Sequence, residues 1–300
     1  MNDLRLAIVT CTNGRNRAIR NFISSVDALD YEGVQLRLVL VDNNKESQRG
    51  SLLNDNLRVP ITYVHEDRPG LSRARNAGLA RIDDMEWVFF TDDDIVLPRN
   101  CIRQIQEVIK LHPAAALIGG RVDLYNPADF PITISRETRC MELGDDEAAF
   151  FGFIHGCCML VPPETRTRIG NFDQGLGAGT SVRSAEDTDY QYRAKKECGP
   201  VVYNPALRVF HDHGRRNLKH MRAIRRGWAL GQGALAAKYL VKGDTHVLKR
   251  LIWQYWNACT TRTRQTGVLG EVGPMAEWVL FQQAVGGLRY LSSRLFQKNA

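Results

Sequence analysis

Three hundred residues, 44% hydrophobic and 24% charged, is an ordinary globular composition with room for one large domain or two smaller ones. No apolar run approaches the ~18 residues of a membrane-spanning helix, and MNDLRLAIVT reads as a first strand rather than a signal peptide. The net charge of +7 is uneven: residues 1–214 carry 25 Lys+Arg against 30 Asp+Glu, whereas 215–300 carry 15 against 3, a net +12.

Along the first half, strand and helix patterns alternate. LRLAIVTCT (4–12) has the pattern of a buried strand, and 17–29 follows with Ile19, Phe22, Ile23 and Val26 at helical spacing. LRLVLVD (36–42) is a strand, 43–58 a polar stretch, ITYVHE (61–66) a strand, SRARNAGLARI (72–82) a helix and WVFFT (87–91) a strand. A helix runs from Pro98 to about Leu111. This order predicts an α/β fold with a mostly parallel, Rossmann-like sheet and helices on both faces. Further on, 115–125 and 150–162 read as strands, 163–172 as a short helix opened by Pro163, and FDQGLGAGTS (172–181) as a glycine-rich loop. A helix over 186–199 has acids in its first turn and Lys195 and Lys196 near its end, the charge order that suits a helix dipole. VVYNPALRVFH (201–211) is strand-like, and from Asn217 onward the pattern is helical. The expected domains are 1–215, in two halves at about 1–112 and 113–215, and a basic helical extension over 216–300.

Ligands of parallel sheets bind at the carboxyl ends of the strands. Thr10, Asp42, Glu66 and the triplet Asp92, Asp93 and Asp94 all follow strand-like runs and should line one crevice. A lone Asp after a strand is most often a cap or turn residue; four such endings, one of them triple, point to a site. Adjacent carboxylates repel, and a hard divalent cation, Mg²⁺ or Mn²⁺, is a natural counter-charge, held by carboxylates and substrate phosphates. PGLSRARNAGL (69–79) joins a turn to a helix carrying Arg73 and Arg75, and its entry suits an anion. Glu186 and Asp187 open a helix behind the glycine-rich loop, where acids cap helices or serve as a general base. His211 ends a strand, and near an acidic site it is a candidate third metal ligand. The seven cysteines include no C-x-x-C pair, and the adjacent Cys157 and Cys158 read as small core residues. That pattern suits a reducing, cytoplasmic compartment.

In their order, VTCTNGRNR, LVLVDNN, PGLSRARNAGL, FFTDDDIVLP, GCCMLVPPETRTRIGNFDQGLGAG, EDTDYQYR and VFHDHG resemble the family-2 glycosyltransferases with a GT-A fold. The resemblance covers about 4–235, and its most specific parts are PGLSRARNAGL and the GNFD…GLGAG…ED block. It implies that Thr10 and Asp42 contact the base and ribose of a nucleotide-sugar, and that Arg73 and Arg75 lie near the base or phosphates. Asp92, Asp93 and Asp94 would hold ribose and metal, with the metal register open between Asp93 and Asp94. Asp187, or Glu186 beside it, would be the catalytic base, and His211 a further metal or diphosphate contact. Thr12 stands where the family often has an aromatic residue before Asn, which puts base stacking in doubt.

The expected reaction is metal-dependent transfer from a nucleotide-diphosphate sugar, a UDP-sugar favoured, to a hydroxyl on a glycan or lipid-linked acceptor. By resemblance it inverts the anomeric centre and serves glycan or polysaccharide synthesis. Two alternatives stand beside it: a haloacid-dehalogenase-type phosphatase with Asp92 as nucleophile, and a non-catalytic nucleotide-sugar-binding protein. The basic tail, with Trp228, Tyr239, Leu240, Trp253, Tyr255 and Trp256 interleaved, suits an anionic membrane surface reached from the cytoplasm. Nucleic acid is not expected, an oligomer is left open, and packing onto the catalytic domain is the plain alternative for the aromatics.

Overall fold

A computed structural model describes residues 4–14, 16–49, 57–144, 153–260 and 276–298. The chain divides into two compact units. The first comprises Met1–Phe172 and Tyr190–Gly214; the second comprises Asp173–Asp189 and Arg215–Ala300. The glycine-rich segment after Phe172 therefore groups with the helical extension, not with the sheet that the expected boundary at 215 assigned it to.

The first unit is built on one sheet in the order β3-β2-β1-β4-β8-β6-β9-β5, with β7 paired to β9. Its strands are β1 (Leu4–Thr12), β2 (Val34–Asp42), β3 (Ile61–His65), β4 (Trp87–Asp92), β5 (Ile95–Val96), β6 (Leu117–Leu124), β7 (Met141–Glu142), β8 (Met159–Val161) and β9 (Val201–His211). β3, β2, β1 and β4 run parallel, as does the β6–β9 pair. β8 runs antiparallel between β4 and β6. The helices here are α1 (Asn16–Asp27), α2 (Leu71–Leu79), α3 (Cys101–Leu111) and α4 (Pro163–Ile169).

Strand side chains alternate between faces. Leu6 and Ile8 of β1, with Leu36, Leu38 and Leu40 of β2, join Ile19, Phe22 and Val26 of α1 and Ile102 and Ile105 of α3 in one core. The opposite face, Val9, Val39 and Val41, receives α2. Gly78 makes that approach: a Cβ there would lie 2.9 Å from Val9 Cγ1 and 3.1 Å from a Val41 methyl. Helices thus cover both faces, as expected.

One expected strand is shorter. Of 150–162, only Met159–Val161 is strand, and 150–152 lie outside the described residues. The Cys158 N–H donates to the His155 carbonyl (2.9 Å), closing a turn at Gly156 where apolar content alone suggested continuation. Cys157 and Cys158 are buried in the core; burial pushes both thiols well above their ordinary value, so neither offers a thiolate.

The second unit holds the segment 173–189, with the start of α5 (Glu186–Glu197), and three long helices: α6 (Leu218–Leu240), α7 (His246–Thr260) and α8 (Ala276–Lys298). α6 and α8 cross at glycines. A Cβ on Gly233 would meet the Gln283 carbonyl at 1.8 Å, and one on Gly286 the Leu230 carbonyl at 2.0 Å. No helix among the described residues is long and apolar enough to cross a membrane.

Gly78→Val should overpack the α2–sheet contact and cost about 1–3 kcal/mol. The urea midpoint should fall with an unchanged slope.

Candidate active site at the carboxyl ends of the strands

Parallel register brings the strand ends level. Thr12 pairs with Asp42, Asp42 with His65, and Cys11 with Asp92. The acid triplet therefore lies on the same edge of the sheet as Asp42, where the sequence predicted a crevice.

Each aspartate of the triplet meets a different partner. Asp92 Oδ1 faces Arg75 Nη2 at 3.3 Å. Arg75 is only 2% exposed, and its guanidinium lies 5.4 Å from the Phe172 ring centroid and 6.0 Å from that of Phe90. Asp92 and two ring faces thus compensate a buried cation. Asp93, fully buried, accepts from the Thr12 hydroxyl at 2.7 Å. Asp94 Oδ1 lies 3.1 Å from His211 Nε2, with both residues 3% exposed.

The Asp94–His211 pair has the features of a cation site. β5 and β9 pair Ile95 with His211, and the Asp212 N–H donates to the Asp94 carbonyl at 2.7 Å, so the backbone fixes the approach. His211 Nδ1 is 3.0 Å from the Thr133 carbonyl. A proton on Nδ1 satisfies that bond and turns the Nε2 lone pair toward the Asp94 carboxylate. The 3.1 Å contact is met either by a proton on Nε2 or by a cation held between the two groups. Two cis ligands of an octahedral ion at roughly 2.1 Å each stand about 3.0 Å apart, close to the distance found. Thr133 has φ 55, a left-handed conformation held at the residue that orients His211. Among the described residues no group of three or more His, Cys, Asp or Glu side chains gathers as a metal cage. A two-ligand site completed by substrate phosphates and water suits Mg²⁺ or Mn²⁺.

The remaining expected residues range from fully buried to partly exposed. Thr10 is fully buried inside β1, and its hydroxyl has no hydrogen-bond partner among the described residues. Asp42 is fully buried and accepts four bonds: from Asn44 N (3.1 Å), Asn44 Nδ2 (2.6 Å), Gln48 N (2.6 Å) and the Tyr63 hydroxyl (2.5 Å). It organises the loop after β2. Burial pushes its carboxyl up, but the Tyr63, Gln48 and Asn44 donors outweigh this and hold it below the usual range. Glu66 is bound to Arg68 at 2.7 Å. Arg73 is half-buried on α2, with Nη1 3.4 Å from the Pro69 carbonyl. Glu186 and Asp187 belong to the second unit. Glu186 is buried, whereas Asp187 is partly exposed and its Oδ1 accepts from Thr188 N at 2.7 Å.

Four residues of the site went unselected in the sequence. Thr12 holds Asp93, and Thr133 orients His211. Asn43 donates to the carbonyls of Glu66 and Arg68 and accepts from Gly70 N, tying the loops after β2 and β3 together. Asn76 bonds Phe172 twice, Nδ2 to its carbonyl (2.9 Å) and Oδ1 from its N–H (2.8 Å). Only the position of Thr12 and Asn43 at strand ends could have flagged them; Thr133 and Asn76 carry no local signal.

A parallel sheet that turns antiparallel at β8, with a carboxylate cluster at the strand ends, defines a GT-A-type transferase fold. Solved structures agree. A mannosyltransferase from Pyrobaculum calidifontis, PcManGT in complex with GDP-Man and Mn²⁺, superposes with a TM-score of 0.58 at 16% identity, covering 98% of this chain and 88% of that one. S. aureus TarS 1-349 in complex with UDP gives 0.54 at 12% identity, covering 99% and 92%. The profile of Glycosyl transferase family 2 matches residues 7–160, just over half the chain, and the chain belongs to that family. An uncharacterized glycosyltransferase of Rickettsia felis is 24% identical over 173 residues, 56% of this chain. The match spans only 28% of that relative's length. A glucosyl-dolichyl phosphate glucuronosyltransferase of Haloferax volcanii is 23% identical over 217 residues, 69% of each. Family membership sets aside the phosphatase alternative.

Because the Asp42 carboxyl is held low, its stabilising contribution is present above the unfolded carboxylate value and is lost as pH falls through the folded one. Tyr63→Phe removes one donor. It should cost about 1 kcal/mol at pH 7 and flatten the acid limb of a stability-against-pH curve measured by urea unfolding.

Proposed function

We propose that this protein transfers a sugar from a nucleoside-diphosphate donor to a hydroxyl acceptor in glycan or polysaccharide synthesis, with Mg²⁺ or Mn²⁺ held by Asp94 and His211. The observation that carries the proposal is the 3.1 Å approach of the Asp94 carboxylate and the His211 imidazole at the strand ends. PcManGT in complex with Mn²⁺ supports the metal, and complexes of fold relatives with UDP, UDP-GlcNAc and GDP-Man support the donor class. A UDP-sugar is the favoured donor.

In this reading Thr10 and Asp42 lie at the base and ribose end, Asp42 chiefly by shaping its loop. Arg73 faces the phosphates, and Arg75 holds Asp92 in place. Asp92 and Asp93 complete the ribose and diphosphate side, with Asp93 oriented by Thr12. A divalent cation, when bound, supplies positive charge against the departing diphosphate. Asp187 takes the proton of the acceptor hydroxyl. The hydroxyl oxygen bonds to the anomeric carbon as the bond to the diphosphate oxygen breaks, and the electron pair leaves with the nucleoside diphosphate. One such displacement inverts the anomeric centre. Asp187 is preferred over Glu186 because it is the more exposed of the two.

The acceptor is proposed to be glycan or lipid-linked, the latter supported by the Haloferax volcanii relative, whose name carries a dolichyl phosphate. The second unit supports a cytoplasmic, peripheral contact with anionic lipid. Trp253 is 48% exposed and Trp256 69% on α7, Phe281 62% and Leu288 68% on α8, in a segment of net charge +12 that also exposes Lys242 and Lys249. Aromatic and basic side chains together suit a headgroup interface.

Three outcomes are expected. Chelator should abolish transfer, and Mn²⁺ with UDP should raise the melting temperature of the wild type but not of Asp94→Asn; full activity in excess chelator refutes the metal. Asp187→Asn should keep donor affinity and lower turnover by ~10²–10⁴, measured as nucleoside-diphosphate release. Flotation with phosphatidylglycerol vesicles should exceed that with phosphatidylcholine and decline with salt; no binding at low salt refutes the membrane contact.

A further inference from the structure

Asp173 and Asp189 mark the two ends of the segment that precedes and enters α5, and both are pinned to the helical extension. Lys238, in the last turn of α6, is 6% exposed within the apolar run ALAAKYL. Its ammonium lies 2.7 Å from Asp173 Oδ2 and 2.6 Å from Asp189 Oδ1. The Tyr239 hydroxyl donates to Asp189 Oδ1 at 2.9 Å and the Tyr290 hydroxyl to Asp173 Oδ2 at 2.8 Å. Arg294 of α8 bonds Asp173 Oδ1. Two carboxylates and two cations balance, as buried charges require. Burial pushes the Asp173 carboxyl up, but the Lys238 charge and hydrogen bonds outweigh this and hold it well below the usual range.

The stretch between these ends is moulded on the same helices. Ser184 Oγ donates to the Gly227 carbonyl at 2.9 Å, and Arg289 donates to the Ser181 carbonyl at 3.0 Å. A Cβ on Gly231 would sit 2.1 Å from Ser184 Oγ. Arg183 (φ 67) and Ala185 (φ 78) are both left-handed without being glycine. Such conformations persist only where surroundings over-determine them, and they gather at functional turns. Ala185 directly precedes Glu186, and Arg183 stands two residues earlier.

We propose that Lys238, seconded by Tyr239, is a positioning residue for the catalytic base: the helical extension fixes the turn and the rotational phase of the first turn of α5. Residues two apart on a helix point about 200° apart. Holding Asp189 against Lys238 and Tyr239 therefore turns the position of Asp187 away from α6. The inference rests on Asp187 as base. It gives the tail a part in turnover that is independent of any lipid contact.

The test uses the full chain, assaying nucleoside-diphosphate release from UDP-N-acetylglucosamine or GDP-mannose, whichever the wild type turns over. Lys238→Met should lower kcat at least tenfold and leave donor KM within twofold. Lys238→Arg should recover part of the loss. Lys238→Met strips the cation from two buried carboxylates, so Tyr239→Phe, which removes one hydroxyl, is measured beside it with an expected kcat loss of about threefold. Hydrogen exchange should rise in peptides spanning 173–190 and stay unchanged in β1 and β4. Wild-type kcat in folded Lys238→Met and Tyr239→Phe overturns the proposal, as does a loss of kcat matched by exchange across the whole sheet. Asp187→Asn run in parallel separates the two readings: if it is inactive while Lys238→Met is fully active, the positioning role fails and the base stands. If Asp187→Asn is fully active, the base assignment itself fails.

Discussion

The arrangement of the sheet edge follows from one electrostatic constraint: three consecutive carboxylates at the end of a buried strand. Two unit charges ~4 Å apart near a protein surface interact by about 4 kcal/mol, so β4 cannot end in Asp92, Asp93 and Asp94 without compensation. The fold separates the three. Asp92 meets Arg75 from α2, Asp93 meets the Thr12 hydroxyl from β1, and Asp94 meets His211 from β9. Three elements distant in sequence are drawn to one strand end, and each answers a different acid. Only the third pairing joins a carboxylate to an imidazole, a group that is also a ligand for divalent cations.

The fold was largely legible because its signals are local. Buried runs such as LVLVD and VFFT announce strands, and the alternation with helices announces a parallel sheet. The antiparallel insertion of β8 and the short β5 and β7 were not legible, since two or three residues carry no period. Asp94 and His211 were readable as strand-end residues, but their pairing depends on β5 meeting β9 in register, a tertiary fact. Asp42 shows the opposite case. Its position suggested a ligand, while three of its four bonds come from its own loop and the fourth from Tyr63 of β3, because a buried carboxylate is satisfied first by whatever donors the chain brings near.

Asn76 explains why the two most family-specific stretches, PGLSRARNAGL and GNFD, travel together. Its amide bonds both the N–H and the carbonyl of Phe172, as a neighbouring strand would. Phe172 then stacks on Tyr190, with ring centroids 4.1 Å apart, and lies against Arg75. The helix carrying Arg75 and the ring beneath it are thus one rigid object, and the direction of Asp92 depends on it. An isolated reading of either stretch finds only a basic helix or a glycine-rich turn.

The ion network of the helical extension obeys a different logic. Buried ion pairs add little net stability compared with apolar packing of the same volume, because desolvation offsets most of their attraction. An apolar seam between α6 and the 173–189 segment would hold the two together, yet apolar contacts are non-directional and tolerate sliding and rotation. A lysine bridging two carboxylates, with a tyrosine on one of them, fixes both distance and phase. Arg183 and Ala185 already hold left-handed backbones beside Glu186 and Asp187, so a small slip there would redirect the carboxylates that follow. A directional contact is the kind that such a turn requires.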